Sequence, residues 1–204
     1  MDLIALNNIS NLVEKYNARL LPVIKDKKLE DIKKVYDEGY REFGENRLEQ
    51  LLDHKDKLKD AKFHFIAPLQ SRKIKKVIEN SISVHTLSRK KEAELINDDY
   101  TNQNIYVQIN IDDDPNKNGI SVNEVDAFFS IFENLNYFPV GIMCIPSIEN
   151  DSKFAFSRMQ NINEKLKNNY KDYIGELSMG MSDDYQIALD YGATLIRIGS
   201  KIFS

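Results

Sequence analysis

The chain has 204 residues, a formal net charge of −4 and a single cysteine. That length supports one domain with a substantial core, and no Pro-, Gly- or Ser-rich linker divides it, so residues 1–204 are expected to form one unit. An acidic chain of this size gains little from counterion release, which excludes a general nucleic-acid binder; one cysteine, Cys144, excludes an internal disulfide and fits a reducing compartment.

The opening MDLIALNNISNLVEKYNARL lacks a basic start and a long apolar core, and no apolar run is long enough to cross a bilayer. A cytoplasmic setting without membrane partners is therefore expected. A first helix is predicted from Leu3 to Tyr16, with Leu3, Ile4, Ile9, Leu12 and Val13 on its apolar face. Arg19 to Ile24 is an apolar run that reads as strand one and ends at Lys25. Leu29, Ile32, Val35 and Tyr36 repeat at helical spacing until Gly39. Glu42 to Asn46 is a short second strand, followed by a charged helix with Leu48, Leu51 and Leu52 inward. Lys62 to Ala67 is strand three, Ser71 to Glu79 a helix, and Ser83 to Leu87 strand four. The basic run Arg72 to Lys76 reads as a solvated helix face.

The alternation continues. A helix from about Arg89 to Ile96 precedes Ile105 to Ile111, the segment richest in β-branched residues. Ser121 and Glu124 form a capping box ahead of a helix burying Val122, Val125, Phe129 and Phe132. Val140 to Ile145 is strand six, and a helix from about Ser152 to Asn168 buries Ala155, Met159, Ile162 and Leu166. In the final stretch, Glu176 to Ile202, a strand leads into the turn SMGMSDD, where Gly180 allows positive φ and Ser182 is the expected helix N-cap. Tyr185, Ala188 and Leu189 are the buried face of that helix, which stops at Gly192. The last strand, ATLIRIGS, carries one cation, Arg197, that needs a partner if the strand is buried on both faces.

Eight strands alternating with helices predict a parallel sheet closed into a (β/α)8 TIM barrel, with a doubly wound open sheet as the alternative. In a barrel, chemistry gathers at the C-terminal strand ends, where Lys25, Asn46, the Gly180–Ser182 turn and Gly199-Ser200 all fall. Two turns rich in free N–H groups after strands seven and eight make a phosphate site. An amine on the facing wall suits a Schiff base with a phosphorylated aldehyde, provided that desolvation or Arg197 keeps the amine neutral. His64 and His85 alternate with apolar neighbours and read as structural, since no ligand cluster accompanies them. Cys144 reads as core.

The segments LLPVIKDK, EFGENRLEQ, HFIAPLQSRK, VHTL, VQIN with KNGI, GIMCIP, LSMGMSDDYQIAL and TLIRIGSKIF resemble, in order and over nearly the whole chain, the signatures of the pyridoxal phosphate homeostasis protein family. That family is a single-domain relative of the alanine racemase N-terminal barrel. The resemblance implies that Lys25 holds pyridoxal 5′-phosphate as a Schiff base and that Asn46 sits close to it. It implies too that Met181, Ser182, Gly199 and Ser200 cradle the phosphate through N–H groups and hydroxyls, with Arg197 near the ring or the phosphate. Ile24, Lys28, Ala67, Arg72 and Ser200 stand where the family usually has a small polar residue, proline, glycine, asparagine and threonine. The first helix is expected to close the barrel in place of a further C-terminal one. The function implied is a carrier that buffers the cofactor in vitamin B6 homeostasis without significant turnover, as a monomer serving pyridoxal-dependent apo-enzymes. The alternatives are a racemase-like enzyme, which needs a second acid/base such as His85, a sugar-phosphate aldolase using the same lysine, and a barrel serving only as an interaction protein.

Overall fold

The structure, a computed structural model, describes residues 1–147 and 151–203. In chain order it runs α1 (Leu3–Lys15), β1 (Arg19–Pro22), α2 (Leu29–Asp37), β2 (Glu42–Glu45), α3 (Leu48–Lys57), β3 (Lys62–Phe65), α4 (Ile74–Asn80) and β4 (Ser83–Leu87). There follow α5 (Lys90–Asp99), β5 (Asn104–Asn110), β6 (Ile120–Ser121), α6 (Val125–Phe129), β7 (Gly141–Met143), α7 (Ser152–Asn169), β8 (Glu176–Ser178), α8 (Tyr185–Asp190) and β9 (Leu195–Ile198). All strand pairings are parallel, in the order β1-β9-β8-β7-β5-β4-β3-β2, with β6 paired to β5 outside that path. β6 is the one strand that the sequence pattern did not announce, because two residues carry no periodicity.

The ring closes between β2 and β1 through a single bridge, Val23 to Gly44, reinforced by the Ile24 N–H donating to the Gly44 carbonyl at 3.0 Å. The sequence explains why this seam is thin. The N–H groups of Arg19 and Val23 donate to β9, so those of the even residues face β2, and Pro22 has none to give. The open doubly wound sheet is thus replaced by the (β/α)8 barrel that alternation predicts.

Strand side chains divide cleanly between two environments. Phe43, Phe63, Phe65, Ile105, Val107, Ile142, Leu177, Ile196 and Ile198 join the helix residues Leu6, Ile32, Val35, Leu51 and Phe156 in one continuous apolar cluster. The alternate positions, among them His64, His85, Tyr106, Ser178 and Arg197, bond one another inside the barrel. Period-two alternation therefore survives, but it separates an apolar outer layer from a polar axis.

α1 buries Leu6, Ile9 and Val13, while Leu3 and Ile4, expected on its apolar face, are exposed. The Asp2 side chain caps this helix at the Ala5 N–H, and the Asp2 N–H donates to the Ile202 carbonyl at 2.8 Å, so the first helix lies against the last residues. Leu52 and Ile162 are only partly buried, and Ile24 packs in the apolar cluster. The helix expected at Ser71 begins as a 3₁₀ turn over Ser71–Lys73, and the capping box at Ser121 and Glu124 opens a 3₁₀ turn before α6.

Gly141 tests how tightly β7 and β8 are pressed together. A Cβ there would run into the Glu176 carbonyl, a backbone atom that cannot swing aside. Gly141→Ala is expected to lower unfolding stability by about 2 kcal/mol, the cost of overpacking a rigid site, read as a shift in urea midpoint at constant slope. An unshifted midpoint would mean that the two strands are not held at this spacing.

Candidate functional site

A cavity of about 590 Å³ opens at the C-terminal ends of the strands. Its wall includes all seven sequence-predicted residues, Lys25, Asn46, Met181, Ser182, Arg197, Gly199 and Ser200. These come from three separate stretches of chain, after β1, after β2, and after β8 together with β9.

Lys25 sits in a turn closed by the Lys27 N–H donating to the Ile24 carbonyl at 3.1 Å, with Asp26 at a φ of 57°. Aspartate tolerates that left-handed conformation better than most residues, and the Asp26 carboxylate lies 3.0 Å from Arg47 at the surface. Lys25 itself is exposed at the mouth, so the desolvation expected around its amine is not supplied by burial. Lys27, on the same wall, donates to the Phe203 carbonyl at 3.4 Å and lies over that ring. Ile24, flagged as a departure from the family pattern, points into the core and does not line the cavity.

Asn46 is positioned by its predecessor. Glu45 is fully buried and its Oε1 accepts from the N–H groups of Asn46 and Arg47 at 2.7 and 3.2 Å, folding the backbone sharply at the end of β2. The other oxygen lies 3.4 Å from Nδ1 of His54 on α3. Asn46 Oδ1 is buried without a hydrogen-bond partner among the described residues, an acceptor held ready on the cavity wall.

The facing wall is two turns tied together. Gly180 has a φ of 91°, and a Cβ there would lie 2.6 Å from that of Ala188, so the turn after β8 requires glycine. Ser182 is not the N-cap that its sequence context suggests. The cap position is Asp184, whose carboxylate reaches back to the Met181 N–H at 2.7 Å. The Ser182 hydroxyl instead accepts from Ser200 at 2.9 Å and joins the turn after β8 to the turn after β9. The Met181 N–H is correspondingly occupied, whereas those of Ser182, Gly199 and Ser200 have no acceptor among the described residues. These three donors and two hydroxyls lie together in one concavity, at the place where the sequence reading puts a phosphate.

Arg197 is only 4% exposed. Its Nη1 donates to the carbonyl and the hydroxyl of Ser178, both at 2.7 Å, and its Nη2 to the Cys144 carbonyl at 2.9 Å. Three of the five guanidinium donors are used, and the other two have no acceptor among the described residues. Burial lowers the arginine's pKa, opposed mainly by Cys144 and Asp184. Burial likewise pushes the Cys144 thiol up to about 12, so it is an inert core group.

The polar residues below the cavity were legible only as isolated histidines. The Ser178 hydroxyl lies 2.8 Å from Nδ1 of His85, His85 Nε2 is 2.9 Å from His64 Nδ1, and His64 Nε2 is 3.2 Å from Glu42. The His85 ring stacks on Tyr106 at 4.4 Å. Tyr106 in turn bonds Glu176, and Glu176 pairs with Arg19 at 2.6 Å. The hydrogen bond from His64 holds Glu42 below the usual carboxylate range.

The chain matches the family model described as alanine racemase, N-terminal domain, over residues 4–204. It is 37% identical to the pyridoxal phosphate homeostasis protein of Pasteurella multocida over 91% of this chain and 85% of that one, and 33% identical to the namesake in Schizosaccharomyces pombe over 92% and 84%. Among solved structures, PipY of Synechococcus elongatus without PLP superposes with a TM-score of 0.88 at 26% identity, covering 98% of this chain and all of that one.

Burial, with the neighbouring His64 ring and the Arg197 and Arg19 guanidiniums, pushes the His85 pKa well below its ordinary 6.5. A base whose folded pKa is depressed is protonated first in the unfolded chain, so stability is complete above pH 6.5 and is lost as pH falls below it. Urea unfolding between pH 7.5 and 5 is expected to show a loss approaching about 1.4 kcal/mol per pH unit. A flat profile in this range would contradict a neutral, buried His85.

Proposed function

Because this chain belongs to the pyridoxal phosphate homeostasis protein family, built on the alanine racemase N-terminal domain, we propose that its cavity holds pyridoxal 5′-phosphate and that the protein buffers the cofactor and hands it on. The observation that carries this reading is an exposed amine, Lys25, facing a prebuilt anion cradle across one cavity. The volume lies in the ordinary range for a small-molecule site. PipY of Synechococcus elongatus has been solved with PLP bound, with a TM-score of 0.87 at 23% identity.

The residues present fit the cofactor. When bound, it supplies an aldehyde that condenses with a primary amine with loss of water. Lys25 provides that amine, held at the end of β1 by the Ile24–Lys27 turn. Ser182, Gly199 and Ser200 offer N–H groups to the phosphate, and the hydroxyls of Ser182 and Ser200 offer two further donors once they turn from each other. Met181 contributes to the wall, its N–H being engaged by Asp184. Arg197 supplies a fixed positive charge on the cavity floor, and Asn46 Oδ1 an acceptor for a polar ring substituent.

Exposure of Lys25 favours a carrier over a racemase-like enzyme. An amine at the mouth is reached by water or by an incoming amine, either of which releases the cofactor. His85, the base that a racemase reading would use, is bonded through both ring nitrogens to Ser178 and His64 and is not on the cavity wall. The reading takes residues 1–204 as one cofactor-binding unit, acting as a monomer in the cytoplasm and serving pyridoxal-dependent apo-enzymes. Among the described residues no helix is long and apolar enough to cross a membrane.

Purified protein mixed with pyridoxal phosphate is expected to develop an absorbance band in the visible range that persists through gel filtration and is absent from Lys25→Ala. Equal bands in both proteins would remove Lys25 from its role, and no band in either would overturn the cofactor. Amino-acid turnover near one per second or above, an ordinary enzyme rate, would overturn the carrier reading.

A further inference from the structure

The polar chain beneath the cavity has a direction, which its carboxylate end dictates. Arginine only donates and an ionised carboxylate only accepts. The order is set from the carboxylate end with both rings neutral, and Arg197, which donates to the Ser178 hydroxyl oxygen, is compatible with that hydroxyl giving its own proton to His85 Nδ1. His85 must then carry its proton on Nε2, aimed at His64 Nδ1, and His64 must carry its own on Nε2, aimed at Glu42. Both tautomers are fixed with no hydrogen seen. Glu42 opens β2 and lies half-buried at the N-terminal end of the barrel, opposite the cavity.

We propose that Ser178, His85 and His64 are positioning residues forming a one-way hydrogen-bond relay, which couples the Arg197 guanidinium on the cavity floor to the Glu42 carboxylate at the far end, so that the grip on an anionic ligand depends on Glu42. The inference rests on the reading of the cavity as a pyridoxal phosphate site. Its physical basis is the need to balance a buried cation whose hydrogen bonds among the described residues go only to two carbonyls and one hydroxyl, with Asp184 acting on it only at longer range. Each neutral link polarises the next in the low-dielectric interior, so part of the compensation is delivered through the chain. The groups surrounding the histidines are Tyr106 from β5, Arg19 from β1 and Glu176 from β8. Arg19 binds Glu176 at 2.6 Å and lies 3.9 Å from Glu42, so Glu176 belongs to the same end of the barrel but not to the relay.

Equilibrium dialysis with pyridoxal phosphate at pH 7.5 on the wild-type, Glu42→Gln, Ser178→Ala and Glu176→Gln proteins tests this, alongside ¹⁵N NMR of the histidines without ligand. Glu42→Gln keeps the shape of its side chain and Ser178→Ala cuts beside Arg197, so if one fails to fold the other still decides. Because each breaks the chain that holds the Arg197 guanidinium in place, each is expected to weaken binding about fivefold, a typical coupling between sites, whereas a pure charge effect of losing Glu42 would tighten it; Glu176→Gln leaves binding unchanged. The NMR spectrum should show the Nε2–H tautomer at both His64 and His85. Unaltered affinity in Glu42→Gln and Ser178→Ala, a loss shared equally by Glu176→Gln, or an Nδ1–H tautomer at either ring would overturn the relay. Failure of the wild-type protein to take up pyridoxal phosphate would instead overturn the coupling together with the reading beneath it, a result the dialysis separates from the others.

Discussion

A buried guanidinium sets the terms for this barrel. Arg197 sits at 4% exposure on β9, and its hydrogen bonds are to the strand-end carbonyls of Ser178 and Cys144 and to the Ser178 hydroxyl. A charge withdrawn from water to this degree destabilises the fold unless acceptors surround it. That requirement accounts for the polar axis of the barrel. It accounts for the carbonyl ends of β7 and β8 turning toward β9, a hydroxyl where an apolar residue would pack as well, and two fully buried histidines behind it. The apolar cluster between strands and helices supplies the stability, and the polar axis spends part of it on holding one cation at the floor of a cavity.

The rest of the cavity is arranged around that cation. The turn after β8 needs Gly180, and Asp184, not Ser182, stands at the cap position, its carboxylate turned back to the Met181 N–H. The Ser182 hydroxyl accepts from Ser200 and ties two turns into one concavity whose Ser182, Gly199 and Ser200 N–H groups have no acceptor among the described residues. On the opposite wall the Ile24–Lys27 turn holds Lys25 out toward solvent, while Glu45, bonded to two consecutive N–H groups, bends the chain so that Asn46 faces inward. On the proposed reading, this wall of N–H groups facing an exposed amine suits uptake and release of a phosphorylated aldehyde. A chemical step would demand more, since the histidine nearest in sequence logic is engaged on both nitrogens.

How much of this was legible follows from the range of each interaction. The strands and helices were readable because their signals are local: apolar runs ended by Gly or Pro, and buried residues three and four apart. All seven predicted wall residues came together, since position at a strand's C-terminal end is enough to bring them to one face. The choice between Ser182 and Asp184 as cap was not local. The Ser182 hydroxyl is instead bonded to Ser200, 18 residues on. The relay joins residues 19, 93, 21 and 22 apart, at separations where no periodicity speaks, so His64 and His85 read as structural histidines, with His85 besides as the base of the racemase alternative. The exposure of Leu3 and Ile4 was missed because an apolar face read from composition does not say how much of it the barrel covers.

The most direct test of the account is a crystal structure of the protein grown with pyridoxal phosphate. The account predicts the phosphate against the N–H groups of Ser182, Gly199 and Ser200, with continuous density from the Lys25 amine to the ring and Arg197 still bound to Ser178. A phosphate lodged elsewhere, or a Lys25 side chain with no bond to the ligand, would contradict it.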